Sequence, residues 1–243
     1  IVEATSGNTG NALAMVAAVK GYKCVVIMPE AFSNERVAIS RAFGAEVRLT
    51  PGMDVVPARE MALKLAEQDG WWCPRQFDNE ENIDNNAEWL AREIILQIPS
   101  NVKIDAVVQG VGTGGTLIGV GKGLRAHHNK DLKLFALEPA EAQTIAKGEF
   151  APHGLEGIGD GFIPDVYARN ADTVNGTIAI STPDALESMH ALAEKYGTFV
   201  GPTSGANWLA AHKIKAMHPE IKNVLTFFCD MGEKYLSEHY GKQ

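Results

Sequence analysis

The chain has 243 residues, 45% of them hydrophobic and 21% charged, enough apolar material for one large α/β domain or two smaller ones. A formal charge of −8 argues against nucleic acid or an anionic membrane surface as a partner, and the sequence shows neither a secretory signal pattern nor an apolar run long enough to span a bilayer. Its three cysteines have no framework spacing and suit a reducing cytoplasm.

Short β-branched runs alternate with longer amphipathic stretches, which predicts mostly parallel sheets with helices on both faces. Ile1-Val2-Glu3-Ala4 reads as the end of a strand, feeding the loop Thr5-Ser6-Gly7-Asn8-Thr9-Gly10 and a helix over 11–20. A strand is expected over 23–28, a helix over 34–43, a strand over 46–49 and helices over 56–68 and 85–97. Next come a strand over 106–109, a helix over 115–127 and strands over 132–137 and 177–180. Helices over 183–195 and 206–217 and a strand over 223–228 complete the order. Ser33 and Thr182 are expected N-caps, with Pro183 at the first helical position. Cys24 and Cys229 read as strand core positions, while Cys73 has no clear assignment. Residues 1–78 form a smaller piece and residues 79–243 a larger one.

Three loops carry the chemistry. Thr5–Gly10 places small hydroxyls, an amide and glycines at a helix mouth, where backbone N–H groups and the helix dipole favour a carboxylate or phosphate. Gly112-Thr113-Gly114-Gly115-Thr116 opens the next such helix, and Pro202-Thr203-Ser204-Gly205-Ala206-Asn207 precedes a third. The stretch Gly110–Gly115 also fits a dinucleotide fingerprint, and Glu138 sits at about the spacing of its ribose-binding acid. A nicotinamide dehydrogenase therefore competes on that motif, although a dinucleotide site requires neither of the other loops. Thr113 and Thr116 suit a single phosphate monoester. The bland readings are a glycine turn needed only for packing, and Ser204 as a plain N-cap of the helix over 206–217. No metal site is expected: His127 and His128 are adjacent and diverge, and Asp78–Asp84 lacks the glycine and final glutamate of a calcium loop. That acidic run reads as a solvated turn, and Trp71, Trp72, Trp89 and Trp208 as core or contact residues.

The three loops together resemble the cysteine synthase (O-acetylserine sulfhydrylase) family of fold-type-II enzymes that use pyridoxal 5'-phosphate. So do Gly157-Ile158-Gly159-Asp160-Gly161-Phe162-Ile163-Pro164 and Gly232-Glu233-Lys234-Tyr235-Leu236-Ser237. The resemblance runs from residue 3 to residue 237 and implies a two-lobed α/β fold like that of the tryptophan synthase β-subunit. It implies that Gly112, Thr113, Gly114, Gly115 and Thr116 hold the cofactor phosphate, that Asn8 meets the ring hydroxyl, and that Ser204 faces the pyridine nitrogen. Thr5, Ser6, Gly7, Thr9 and Gln76 then hold the substrate carboxylate. A hydroxyl facing the ring nitrogen does not keep it protonated, which suits β-elimination and replacement. The implied reaction turns O-acetylserine and sulfide into cysteine and acetate, with a cystathionine β-synthase-like enzyme as the alternative. The resemblance also implies a homodimer and a serine acetyltransferase partner.

Two departures stand out. Where the family has an Asn-Pro segment after Gln76-Phe77, this chain has the acidic, proline-free stretch from Asp78 to Asn86. The lysine that anchors the cofactor in the family lies upstream of the Thr5 loop. An N-terminally truncated chain is therefore expected, with no catalytic lysine assigned. A catalytically inactive relic that binds the cofactor or an amino acid is the corresponding alternative.

Overall fold

The structure is a computed structural model that describes residues 1–5, 7–52 and 54–241. It is an α/β fold whose chain forms two compact units, Ile1–Gln76 with the C-terminal segment from Asp230, and Phe77–Cys229.

The first unit holds a parallel sheet ordered β1 (Val2–Ala4), β2 (Val25–Pro29) and β3 (Glu46–Thr50). The middle strand is apolar throughout because both of its faces are covered. Val25 and Ile27 pack with Ala58 and Ala62 of α3 (Val56–Ala66), while Val26 and Met28 pack with Ala14 and Ala17 of α1 (Asn8–Lys20). This is the alternation that a strand's two-residue period imposes. Between β2 and β3 runs α2 (Asn34–Ala42), and the C-terminal segment adds a 3-10 turn, Gly232–Tyr235, and a π turn, Leu236–Tyr240.

In the second unit the helical run α4 (Glu81–Asn85), π turn (Asn86–Leu90) and α5 (Ala91–Gln97) precedes β4 (Ala106–Gly110). Then follow α6 (Gly115–His127), β5 (Lys133–Pro139), α7 (Thr144–Lys147), α8 (Asp165–Ala168) and β6 (Gly176–Ile180). The unit closes with α9 (Thr182–Tyr196), α10 (Pro202–Met217) and β7 (Val224–Leu225). Its parallel sheet runs β6-β5-β4-β7, so the strand order reverses beside β4. In open α/β sheets, ligands bind off the strands' C-terminal ends at such a reversal. Val107, Leu134 and Ala136 face α6, whereas Ala106, Val108 and Leu137 face α10.

The helix α6 lies unusually close to its neighbours because glycine recurs on one face. A Cβ on Gly119 would sit 2.5 Å from Asn86 Cβ, and one on Gly123 2.4 Å from Ala91 Cβ. With Gly115 a turn earlier, these residues let α6 lie against the run from α4 to α5.

Several sequence expectations need correction. Glu81–Asn85 is helical rather than a solvated turn, so that helical run starts earlier than 85. The N-cap of α9 is Ser181, whose side chain accepts from the Asp184 N–H; Thr182 is already helical. Ser33 does occupy the cap position of α2, without a side-chain cap bond. The last strand is only Val224–Leu225, and Cys24 and Cys229 flank strands instead of lying in them. Trp72 and Trp89 are 57% and 67% exposed, not core. No helix among the described residues is long and apolar enough to cross a membrane.

Candidate functional site

In the first unit the candidate substrate loop joins β1 to α1. The helix starts at Asn8, earlier than expected, and Gly7 is its N-cap with φ 142°, a backbone geometry that favours glycine. The Gly7 N–H donates to Thr5 Oγ1 at 2.9 Å, and the Thr5 N–H to the Ile27 carbonyl. Gly10 faces inward, where a Cβ would meet Val26 Cγ1 at 2.7 Å, so the first turn rests on β2. Asn8 and Thr9 thus stand on the first helical turn. Ser6 lies outside the described residues.

Gln76 joins this loop from the far end of the unit. Its Oε1 accepts from Thr9 Oγ1 at 2.6 Å, and its Nε2 donates to the Ala4 carbonyl at 2.6 Å. Glu3, a residue the sequence reading did not single out, fixes the turn that delivers it. The Glu3 carboxyl accepts from the backbone N–H groups of Ala4 and Gln76 and from Cys73 Sγ. Arg75, between Cys73 and Gln76, has φ 59°, rare for a residue with a side chain. Burial pushes the Glu3 carboxyl above its ordinary range, partly offset by the backbone donors.

In the second unit the candidate phosphate loop sits where β4 meets α6. Gly114 is the left-handed N-cap of α6, with φ 88°, and a Cβ there would lie 2.9 Å from Tyr167 Cβ. A Cβ on Gly112 would come within 2.3 Å of the Gly157 carbonyl oxygen, so only glycine fits. The 157–161 segment, noted for its glycines, therefore lies against this loop; Gly159 also donates to the Val111 carbonyl.

The donor chemistry of the loop fits a phosphate. Thr113 Oγ1 accepts from the Gly115 N–H at 3.2 Å and from Asn82 Nδ2 at 3.0 Å. With both lone pairs engaged, its remaining capacity is to donate its proton to an anion. Thr116 lies half-buried on the first turn of α6. Asn82 comes from the acidic stretch set aside as solvent-facing, and nothing local in the sequence marks it as the support of Thr113.

The third loop is helical: α10 begins at Pro202, with Gly201 as N-cap. Ser204 therefore lies inside the first turn and is fully buried, which overturns the reading of it as the cap. Thr203 Oγ1 donates to the Glu156 carbonyl. Gly205 permits contact with α9, since a Cβ there would lie 2.4 Å from the Ala185 carbonyl oxygen. One turn on, buried Asn207 accepts from the Gly110 N–H at 2.9 Å and donates to Gln109 Oε1 and the Phe227 carbonyl. Its amide ties the C-terminal end of β4 to the start of α10 and the segment after β7. The mouths of α6 and α10 therefore both stand at the same end of β4, each with backbone N–H groups that no earlier turn can satisfy. A Cβ on Gly110, at the start of the glycine loop, would lie 3.3 Å from Thr203 Cγ2 on the first turn of α10.

Residues 1–230 match the family described as pyridoxal-phosphate dependent enzyme. The chain is 40% identical over 238 residues to a cysteine synthase of Staphylococcus aureus strain Mu50, covering 98% of this chain and 76% of that protein. Among solved structures, cysteine synthase from Entamoeba histolytica is 36% identical with a TM-score of 0.88, covering 100% of this chain and 71% of that one. An O-acetylserine dependent cystathionine beta-synthase from Helicobacter pylori is 36% identical with a TM-score of 0.89, covering 98% of this chain and 76% of that one.

Proposed function

We propose, for a chain that belongs to the family of pyridoxal-phosphate dependent enzymes, that the reaction of the complete protein is β-replacement on an activated serine. O-acetylserine and sulfide are the substrates, and cysteine and acetate the products. The observation that carries the reading is the pair of helix mouths at one end of β4, with Thr113 able only to donate. A phosphate monoester needs that donor set, and the cysteine synthase relatives supply the reaction class.

Bound there, pyridoxal 5'-phosphate supplies the electron sink that lets the β-substituent of an amino acid leave. Gly112, Thr113, Gly114, Gly115 and Thr116 grip its phosphate through backbone N–H groups and hydroxyls. Ser204 offers the ring nitrogen a hydroxyl instead of a carboxylate, leaving that nitrogen unprotonated. Asn8 hydrogen-bonds the ring hydroxyl. Thr5, Ser6, Gly7 and Thr9 hold the substrate carboxylate, with Gln76 exchanging its bond to Thr9 for one to the ligand. The loop thereby orients the amino acid and excludes water.

A second reading, replacement by homocysteine in place of sulfide, is supported by the Helicobacter pylori cystathionine beta-synthase. We read the protein further as a cytoplasmic homodimer, able to bind a serine acetyltransferase. Incubation of the complete protein with O-acetylserine and either sulfide or homocysteine tests the reaction. Cysteine formed faster than cystathionine supports the first reading, the reverse order supports the second, and no turnover with either overturns both.

A further inference from the structure

The C-terminal segment returns to the first unit and meets the candidate substrate loop with two adjacent residues. Lys234, only 8% exposed, donates its ammonium to Asn8 Oδ1. Tyr235, fully buried, accepts at its hydroxyl from Arg36 Nη2 and donates to Asp230 Oδ2 at 2.8 Å. The Arg36 guanidinium also lies over the Tyr235 ring, 5.0 Å from its centre. Arg36 in turn floors the loop: a Cβ on Gly7 would meet its Nη1 at 2.7 Å and its Cδ at 2.8 Å.

We infer that Lys234 and Tyr235 are positioning residues for the substrate loop, acting through Asn8 and Arg36 respectively. This rests on the proposed role of Asn8. An asparagine amide can turn either its oxygen or its NH2 towards a ligand. An ammonium accepts nothing, so Lys234 can bind only the oxygen, and it fixes which way round the amide stands. A charge-assisted bond makes that choice firmer than a neutral one would. The Asn8 amide is thereby held in one orientation, its oxygen on Lys234, before any ligand arrives. The second grip fixes the floor. Tyr235, held between Arg36 and Asp230, keeps the guanidinium flat under Gly7 and the first turn of α1 in place. Two buried cations beneath a helix mouth also raise its affinity for a carboxylate above that of the backbone alone.

The test uses Lys234→Met, Lys234→Arg and Tyr235→Phe in the full chain. Pyridoxal 5'-phosphate and L-serine are titrated by absorbance and tryptophan fluorescence, and thermal unfolding is recorded in parallel. Lys234→Met is expected to weaken both ligands by about tenfold, and Lys234→Arg to restore most of that loss because it still only donates. Tyr235→Phe keeps the ring under Arg36 but loses both hydroxyl bonds; it is expected to weaken L-serine more than the cofactor. Equal affinities in wild type and Lys234→Met overturn the inference while leaving the functional reading intact. A wild type that binds neither ligand overturns both. If Lys234→Met does not fold, unchanged binding by Tyr235→Phe overturns it. So does a loss in Lys234→Arg as large as in Lys234→Met.

Discussion

Asn82 donates to Thr113 across 31 residues of chain, 3.0 Å from Nδ2 to Oγ1, and so sets which way the hydroxyl of the phosphate loop points. Removing this prop leaves the loop's backbone in place but frees the Thr113 rotor. Asn82→Ala is expected to lower pyridoxal 5'-phosphate affinity by about fivefold, the scale of one lost hydrogen bond of about 1 kcal/mol. Asn82→Asp should cost more, because it sets a like charge near the phosphate. Fluorescence titration of both variants checks the order.

The glycine face of α6 makes a stability prediction. A methyl on Gly119 meets Asn86 Cβ and the Ile83 carbonyl oxygen, both at 2.5 Å. Alanine's helix propensity favours the change by about 1 kcal/mol, but overpacking costs about 1–3 kcal/mol. Gly119→Ala should therefore lower stability by up to about 2 kcal/mol and weaken cofactor binding with it. Urea unfolding with and without pyridoxal 5'-phosphate measures both effects.

Gln76 joins Thr9 to the end of β1. Gln76→Ala breaks both bonds, and an amino-acid KM raised about tenfold or more is expected, with cofactor affinity changed little. Steady-state kinetics in varied O-acetylserine, beside a cofactor titration, separates the two.

The Tyr167 phenol, packed on Gly114, is pushed up to about 12 by burial and then by the Glu138 charge. The folded state holds this proton more tightly than the unfolded chain, whose phenol titrates near the ordinary value of 10.0. Stability is therefore lost as pH rises from about 10 towards 12, by up to about 2 kcal/mol. In Tyr167→Phe this part of the alkaline loss should vanish. Urea midpoints of both proteins between about pH 9 and 11 read it directly.

Much of this arrangement is legible in the residues alone. The α6 helix has its expected bounds, because a glycine turn at its start and histidines at its end are strong local signals. The start of α10 was missed because Gly201 caps it without a side-chain bond, so the serine and asparagine further on resemble caps. The stretch over 81–85 hid its helix behind acidic residues, although Asp84 pairs with Lys122 and Glu80 with Arg169. Lys234 and Tyr235 left no trace beyond a motif, because a contact spanning 226 residues has no periodicity. The same holds for Asn207, which reads in the sequence as one more polar residue on a helix.

The Asn207 amide also bears on the order in which the molecule is assembled. Its bonds to Gly110 and Gln109 close segments of 97 and 98 residues, and a third reaches Phe227 beyond β7. Closing so long a segment costs chain entropy before the contact repays it. The end of β4 is made before α10 and gains its bonds to Asn207 only once α10 has emerged and docked. A chain cut short before α10 would retain the whole glycine motif yet lack the amide that ties the end of β4 to the segment after β7.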